Sequence, residues 1–284
     1  MVTDLTLHEF NTAFVPQRPR GPFRALTEAQ LQSWSDNGYF LVEDAFDAET
    51  LAKTIAAIDP FEAALEAFLR QQKNGTLFIA RAGEITFTTQ LAARSPAVRD
   101  FVTAPVFQDI CHDILGPDVR LYWDMAVYKK PGTEKPFPWH QDNGYSFVEP
   151  QEYITSWIAL SDATEENGCP WVLPGLHKYG TLAHKLTPLG FVCIDEQPKE
   201  AIPVPARAGT IIVMSSLLPH ATGSNLTPNI RKSFIAQFVA EGAHTKKRNE
   251  QGTVVETPCN ANWQLPVLAS GQPAATSRQP PAKS

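Results

Sequence analysis

Cysteine is scarce: the chain of 284 residues holds four, Cys111, Cys169, Cys193 and Cys259, with no C-x-x-C pair and no zinc-ribbon spacing. That argues against a disulfide framework or a thiolate metal site, and points to free thiols in a reducing compartment. No run of about 18 apolar residues occurs, so no membrane span is expected. The opening MVTDLTLHEF lacks the basic-then-apolar pattern of a secretion signal. A cytoplasmic location is the resulting expectation. Positive charge is in deficit, 24 basic against 30 acidic residues for a net charge of −6. A nucleic-acid binder would carry a basic face instead. Internal repeats are absent as well.

Apolar mass and proline are plentiful. Hydrophobic residues make up 43% of the chain, ample for a sizeable core. The 24 prolines point to strands, turns and loops rather than a helical bundle. The first 25 residues are irregular. The stretch 27-TEAQLQSWSDNGYFLVEDAF-46 then opens with a capping box, Thr27 with Gln30. Leu31 and Trp34 share one face of that helix, Asn37-Gly38 ends it, and residues 39–42 read as a strand. A second helix starts at Asp47 as N-cap, runs to 59 and continues helical over 61–73. A third covers 105–116. From 119 the texture changes to strand-like runs at 119–130, 154–160, 201–206, 209–216 and 231–240, divided by Pro, Gly and Asn clusters. Helices followed by many short strands predict a mainly β protein, a sandwich or barrel with helices packed outside. The tail from 265 to 284, rich in Ala, Pro, Ser and Gln, is expected to be disordered.

The chemistry centres on 137-FPWHQDNGYSF-147. On a strand, residues i and i+2 point to one face, so His140 and Asp142 can reach one ion together. Imidazole with carboxylate suits iron(II), manganese or zinc. The motif alone is weak, since roughly 0.3 occurrences of H-x-D are expected by chance in a chain of this composition. His220 ends the most apolar strand of the chain, 210-TIIVMSSLLPHATGSN-225, a good way to place a third ligand on a rigid element. Arg231 opens the next strand, whose one face is Arg231, Ser233, Ile235 and Gln237. If that face points inward, the guanidinium needs a carboxylate, and a bound dicarboxylate gripped by its fork would serve.

With these residues in order the chain resembles the phytanoyl-CoA dioxygenase family. The stretches that carry the resemblance are 26-LTEAQLQSWSDNGYFLVEDAF-46, 139-WHQDNGY-145, 154-ITSWIALSDATEENGCPWVLPGLHKYG-180 and 208-AGTIIVMSSLLPHATGSN-225 followed by Arg231, together about residues 26–240. The resemblance implies a double-stranded β-helix (a jelly-roll, cupin-like core) over about 119–240. A helical part over about 26–116 precedes it, within a single oxygenase domain spanning 1–264. It further implies iron(II) as metal, 2-oxoglutarate as cosubstrate, O2 as oxidant and ascorbate as a supporting reductant. His140, Asp142 and His220 match the family's metal triad. Arg231 matches the residue gripping the distal carboxylate of 2-oxoglutarate, with Thr222 beside it. Trp157 matches a tryptophan lining the cosubstrate pocket, and Gln141, between the ligands, is a candidate contact. A further polar contact upstream is open between Lys129, Lys130 and Arg81. His177, in 174-PGLH-177, reads as a loop-shaping residue. Trp139, Tyr145 and Phe147 read equally as substrate-facing or packing aromatics. Halogenating relatives replace the carboxylate ligand by a small residue, so Asp142 implies hydroxylation or a related oxidation of a small-molecule substrate, with release of succinate and CO2. No basic cluster announces a CoA phosphate site, which favours a small metabolite over an acyl-CoA. Two rival readings share the fold: a cupin-like metal enzyme without 2-oxoglutarate, and a catalytically silent binding module.

Overall fold

The helical part is built as its caps dictate. In the computed structural model, which describes residues 5–274, α1 (Glu28–Asn37) begins with the Thr27 side chain accepting from the Gln30 amide while the Gln30 side chain accepts from the amide of Thr27. Gly38 closes the helix with φ 83°, a conformation that costs glycine little. A Cβ at Gly38 would also meet the His177 ring. β1 (Tyr39–Val42) follows at once. α2 (Ala48–Gln71) is capped by Asp47 on the Thr50 amide and contains Pro60. Three short strands come next, β2 (Thr76–Leu77), β3 (Ala80–Arg81) and β4 (Ile85–Thr89), and then α3 (Leu91–Arg94), α4 (Pro96–Val102) and α5 (Pro105–Leu115). None of the helices among the described residues is long and apolar enough to cross a membrane.

From β5 (Val119–Lys129) onward the chain is β. It continues through β6 (Phe137–His140), β7 (Phe147–Glu149), β8 (Ile154–Ala159), β9 (Pro170–Val172), β10 (Lys185–Thr187), β11 (Gly190–Val192), β12 (Ile202–Pro203), β13 (Ile211–Ser215) and β14 (His220–Thr222). The last strands are β15 (Arg231–Ala240), β16 (His244–Arg248), β17 (Val254–Pro258), β18 (Pro266–Ala269) and β19 (Gln272–Pro273). A major sheet runs β1-β13-β8-β15-β5-β4-β3-β2, a minor sheet β12-β9-β14-β6, and β7-β16-β17 form a third. The pairings are antiparallel.

Alternation along the strands gives the major sheet two different faces. Phe234, Ala236 and Phe238 of β15, with Ala126, Tyr128, Ile154 and Ile158, pack against Trp34, Ile58, Phe101 and Phe107 of the helices. Ring contacts fix this layer: Phe101 meets Phe234 edge-on at 5.8 Å between centroids, and Phe107 meets Phe238 at 5.5 Å. The opposite face, including Ile235, Gln237, Met125, Val127 and Trp157, turns toward the minor sheet across a cavity. Two facing antiparallel sheets with helices outside make the expected jelly roll.

Two expectations need correction. The strand at 201–206 shrinks to Ile202–Pro203, which pairs with β9. The tail is not disordered from 265: β18 adds to the edge of β5 and buries Val267 and Leu268, 1% and 2% exposed. An apolar pair beside an open strand edge outweighs the polar composition around it. The rest of that expectation, 275–284, lies outside the described residues.

Candidate active site

Strand pairing brings the two histidines together. β14 lies antiparallel to β6 with His220 opposite His140, and the ring centroids are 4.2 Å apart. Each imidazole is oriented by a carbonyl two residues back. His140 Nδ1 is 2.8 Å from Pro138 O, and His220 Nδ1 is 2.9 Å from Leu218 O. With Nδ1 donating, the lone pair is on Nε2 in both rings, the tautomer a metal ligand needs. Burial, then the neighbouring His220 ring, holds the His140 pKa well below the ordinary histidine value, so this ring is neutral. His220 does not sit on the apolar strand itself, as the sequence suggested. β13 stops at Ser215, the chain turns, and His220 opens β14 in the other sheet.

Asp142 lies just past the end of β6 rather than on it. Gln141 stays extended (φ −107°, ψ 144°), so the alternation persists for one residue, and Asp142 then opens a 3-10 turn to Gly144. Its Oδ1 is 3.7 Å from His140 Nε2 and 3.9 Å from His220 Nε2. One ligand atom from each of the three side chains falls within 4.8 Å of the others. Two residues that sequence reading passed over hold this turn. The Thr155 hydroxyl donates to Asp142 Oδ2, which leaves Oδ1 for an ion. His184 accepts from the Gln141 amide at 2.9 Å, and its ring sits so close to Gly144 that a Cβ there would come within 2.0 Å of it.

Arg231 faces inward at the start of β15, 1% exposed. Its Nη1 donates to Ser233 Oγ at 2.9 Å, and its guanidinium lies 5.3 Å from the centre of the Trp157 ring. Nε and Nη2 have no partner among the described residues. Burial lowers the guanidinium pKa to about 10, which still leaves it cationic at neutral pH. A buried cation with two idle donors is costly unless an anion completes it. Thr222 lines the same cavity, and its hydroxyl accepts from Lys129 Nζ at 3.3 Å. Among the three open upstream candidates, Lys129 is the one beside Arg231, paired with it in register and fully buried. Its Nζ also donates to Gly223 O, and burial followed by the Arg231 charge lowers its pKa to about 6. Lys130 instead pairs with Glu62 of α2, and Arg81 donates to Pro188 O.

Gln141 does not join the site. Alternation turns it away from its two neighbours, and its amide donates to Gly180 O and Leu217 O and accepts from the Leu182 amide. Of the three flanking aromatics only Tyr145 lines the cavity. Trp139 packs with Leu173 and Ala221, and Phe147 stacks on His8.

The triad, Arg231, Thr222 and Trp157 share one cavity of about 510 Å³, a size that takes a cosubstrate and a small substrate together. A larger cavity of about 780 Å³, beside Phe14, Arg18 and the end of α5, contains none of these groups. Two imidazoles with one carboxylate suit a borderline divalent ion such as iron(II), and the idle guanidinium suits a carboxylate, so the residues present fit both a metal and a keto-diacid.

Jelly roll and site together define a non-haem iron, 2-oxoglutarate-dependent oxygenase. Residues 34–233 match the family model for phytanoyl-CoA dioxygenase (PhyH), and the chain belongs to that family. Among its relatives, a methylphosphonate hydroxylase of Gimesia maris is 30% identical over 226 residues, covering 76% of this chain and 83% of its own. Phytanoyl-CoA dioxygenase 1 of Oryza sativa subsp. japonica is 24% identical over 265 residues, covering 80% and 94%. Among solved structures, the non-heme alpha ketoglutarate dependent carbocyclase SnoK from nogalamycin biosynthesis superposes with a TM-score of 0.69 at 18% identity, covering 85% of this chain and 96% of that one. The last likeness concerns the fold.

Proposed function

We propose that His140, Asp142 and His220 bind iron(II), and that Arg231, with Thr222 and the Trp157 face, holds the distal carboxylate of 2-oxoglutarate. The enzyme then hydroxylates an unactivated C–H bond of a small molecule, releasing succinate and CO2. The observation that carries this reading is the buried guanidinium with two unpartnered nitrogens in the same cavity as the three converging ligand atoms. Bound iron, 2-oxoglutarate and O2 supply the oxidising chemistry, while the chain supplies binding, orientation and a dry pocket. The two imidazoles are turned by the carbonyls of Pro138 and Leu218, and Thr155 turns the carboxylate. Retention of Asp142 favours hydroxylation, because a carboxylate occupies the position that a halide would need.

Ligand-induced stabilisation tests the cosubstrate half. With manganese(II) replacing iron, N-oxalylglycine at 100 times its Kd should stabilise the protein by about 2.7 kcal/mol. Arg231→Ala should abolish that shift, since stripping the partner from a buried ion pair costs about 3–5 kcal/mol, more than 100-fold in affinity. An equal shift in both proteins would remove Arg231 from the pocket and favour a metal enzyme of the same fold without 2-oxoglutarate. Succinate release over a metabolite panel, with iron(II) and ascorbate present, separates a catalyst from a silent binding module.

A further inference from the structure

Strand β15 spans the cavity and presents Arg231 and Gln237 to its two ends. Six residues of antiparallel strand separate them by about 20 Å. A five-carbon diacid gripped at Arg231 therefore does not reach Gln237. At the Gln237 end the register places Thr155 on one side and Trp123 on the other. Thr155 is the residue that orients Asp142, so Gln237 stands one strand away from the carboxylate ligand.

Gln237 is 6% exposed, lines the cavity, and makes no side-chain hydrogen bond to another described residue. Its amide opens onto the cavity, so a ligand that displaces water there must supply a hydrogen bond or lose a few kcal/mol. Trp123, Met125, Phe87 and Leu65 supply an apolar wall, and Tyr122, Tyr153 and Ser146 add uncharged hydroxyl-bearing residues to the same cavity. The rim is apolar too. Leu77 and Phe78, on the β2–β3 hairpin, are 51% and 59% exposed, and Phe78 meets Phe191 edge-on. Among the described lining residues there is no lysine, and the one arginine is Arg231. A carboxylate, phosphonate or CoA phosphate at this end would be desolvated with no lysine or arginine side chain to meet it.

Resting on the functional reading above, we propose that the substrate is an uncharged, largely apolar molecule carrying a hydroxyl or carbonyl group, and that Gln237 recognises this group and turns the apolar body toward Trp123 and the hairpin. Gln237 is then a specificity-determining residue.

The test uses the full-length protein loaded with manganese(II) and 2-oxoglutarate. Binding is measured by calorimetry for a panel of aryl and monoterpene alcohols, the matching hydrocarbons and carboxylates, methylphosphonate and decanoyl-CoA. Members of the alcohol series should bind at least tenfold more tightly than their carboxylates and than either phosphorus-containing probe. Gln237→Leu should cut the preference for alcohol over hydrocarbon by about tenfold or more, because a site built to pair a hydroxyl discriminates strongly against its absence. Gln237→Glu, which keeps an acceptor, should retain the alcohols. The N-oxalylglycine shift of each variant reports whether its pocket is folded. Tighter binding of any anionic probe overturns the proposal. So does an unchanged alcohol preference in folded Gln237→Leu, or no binding by any alcohol to wild-type protein that N-oxalylglycine still stabilises. Absence of the N-oxalylglycine shift in wild-type protein overturns the cosubstrate reading instead.

Discussion

Thr155 contributes one hydroxyl to a fully buried strand, and that hydroxyl donates to the carboxylate that completes the triad. In the sequence ITSWIAL it reads as part of an apolar run. The signal was its position: on a strand buried on both faces, a polar residue two before the cavity-facing Trp157 shares its face. Gln141 is the converse case, adjacent in sequence to two ligands yet turned away from both, because neighbours on a strand face opposite sides. The triad and Arg231 were legible because their residue types and order repeat a known pattern; the residues supporting them depend on cross-strand partners that no local pattern names. Asp142→Ala should abolish iron-dependent succinate formation, and turnover at the wild-type rate would take Asp142 out of the ligand set. Thr155→Val keeps the ligand but leaves its second oxygen unheld. Iron(II) titration should show about 10–100-fold weaker binding in that variant, whereas unaltered affinity would reduce Thr155 to a packing residue.

At the scale of elements, what the sequence revealed was local. The caps at Thr27 and Asp47, the glycine stop at Gly38, and the strands β5, β8, β13 and β15 all follow from contacts within a few residues. The two- and three-residue strands β2, β3 and β14 escaped notice because they exist only through pairing with distant partners. β14 carries His220, so the one ligand-bearing element of the minor sheet that is hardest to see is set by its register against β6 and β9. β18 was hidden by composition. Leu268→Ala should cost about 2–5 kcal/mol in urea unfolding, as expected for a leucine lost from a core. Val255→Ala, on an exposed strand, should stay within about 0.5 kcal/mol. Equal effects would mean that β18 adds little to the core.

For the molecule as a whole, burial of several histidines sets the response to acid. His177 and His184 are lowered to about 4, chiefly by burial, and His140 is held well below 6.5. In each case the unfolded chain binds a proton that the folded chain refuses. These rings therefore weaken folding as pH falls from about 6.5 toward 4, by up to ~1.4 kcal/mol per pH unit for each, while Asp124 and Glu152, raised by burial to about 6 and about 7, act in the opposite sense over the same window. Urea unfolding of metal-free protein across that window should show His184→Gln losing less stability than the wild type as pH falls; an identical pH slope in the two proteins would contradict the burial of that ring. The spacing built into β15 has a different consequence. The guanidinium proposed to serve the shared diacid and the amide proposed to greet the variable molecule stand far apart on one ribbon. Substitutions at the two ends should therefore combine without interference, and such a scaffold can be retuned toward new molecules while its fuel site is left intact.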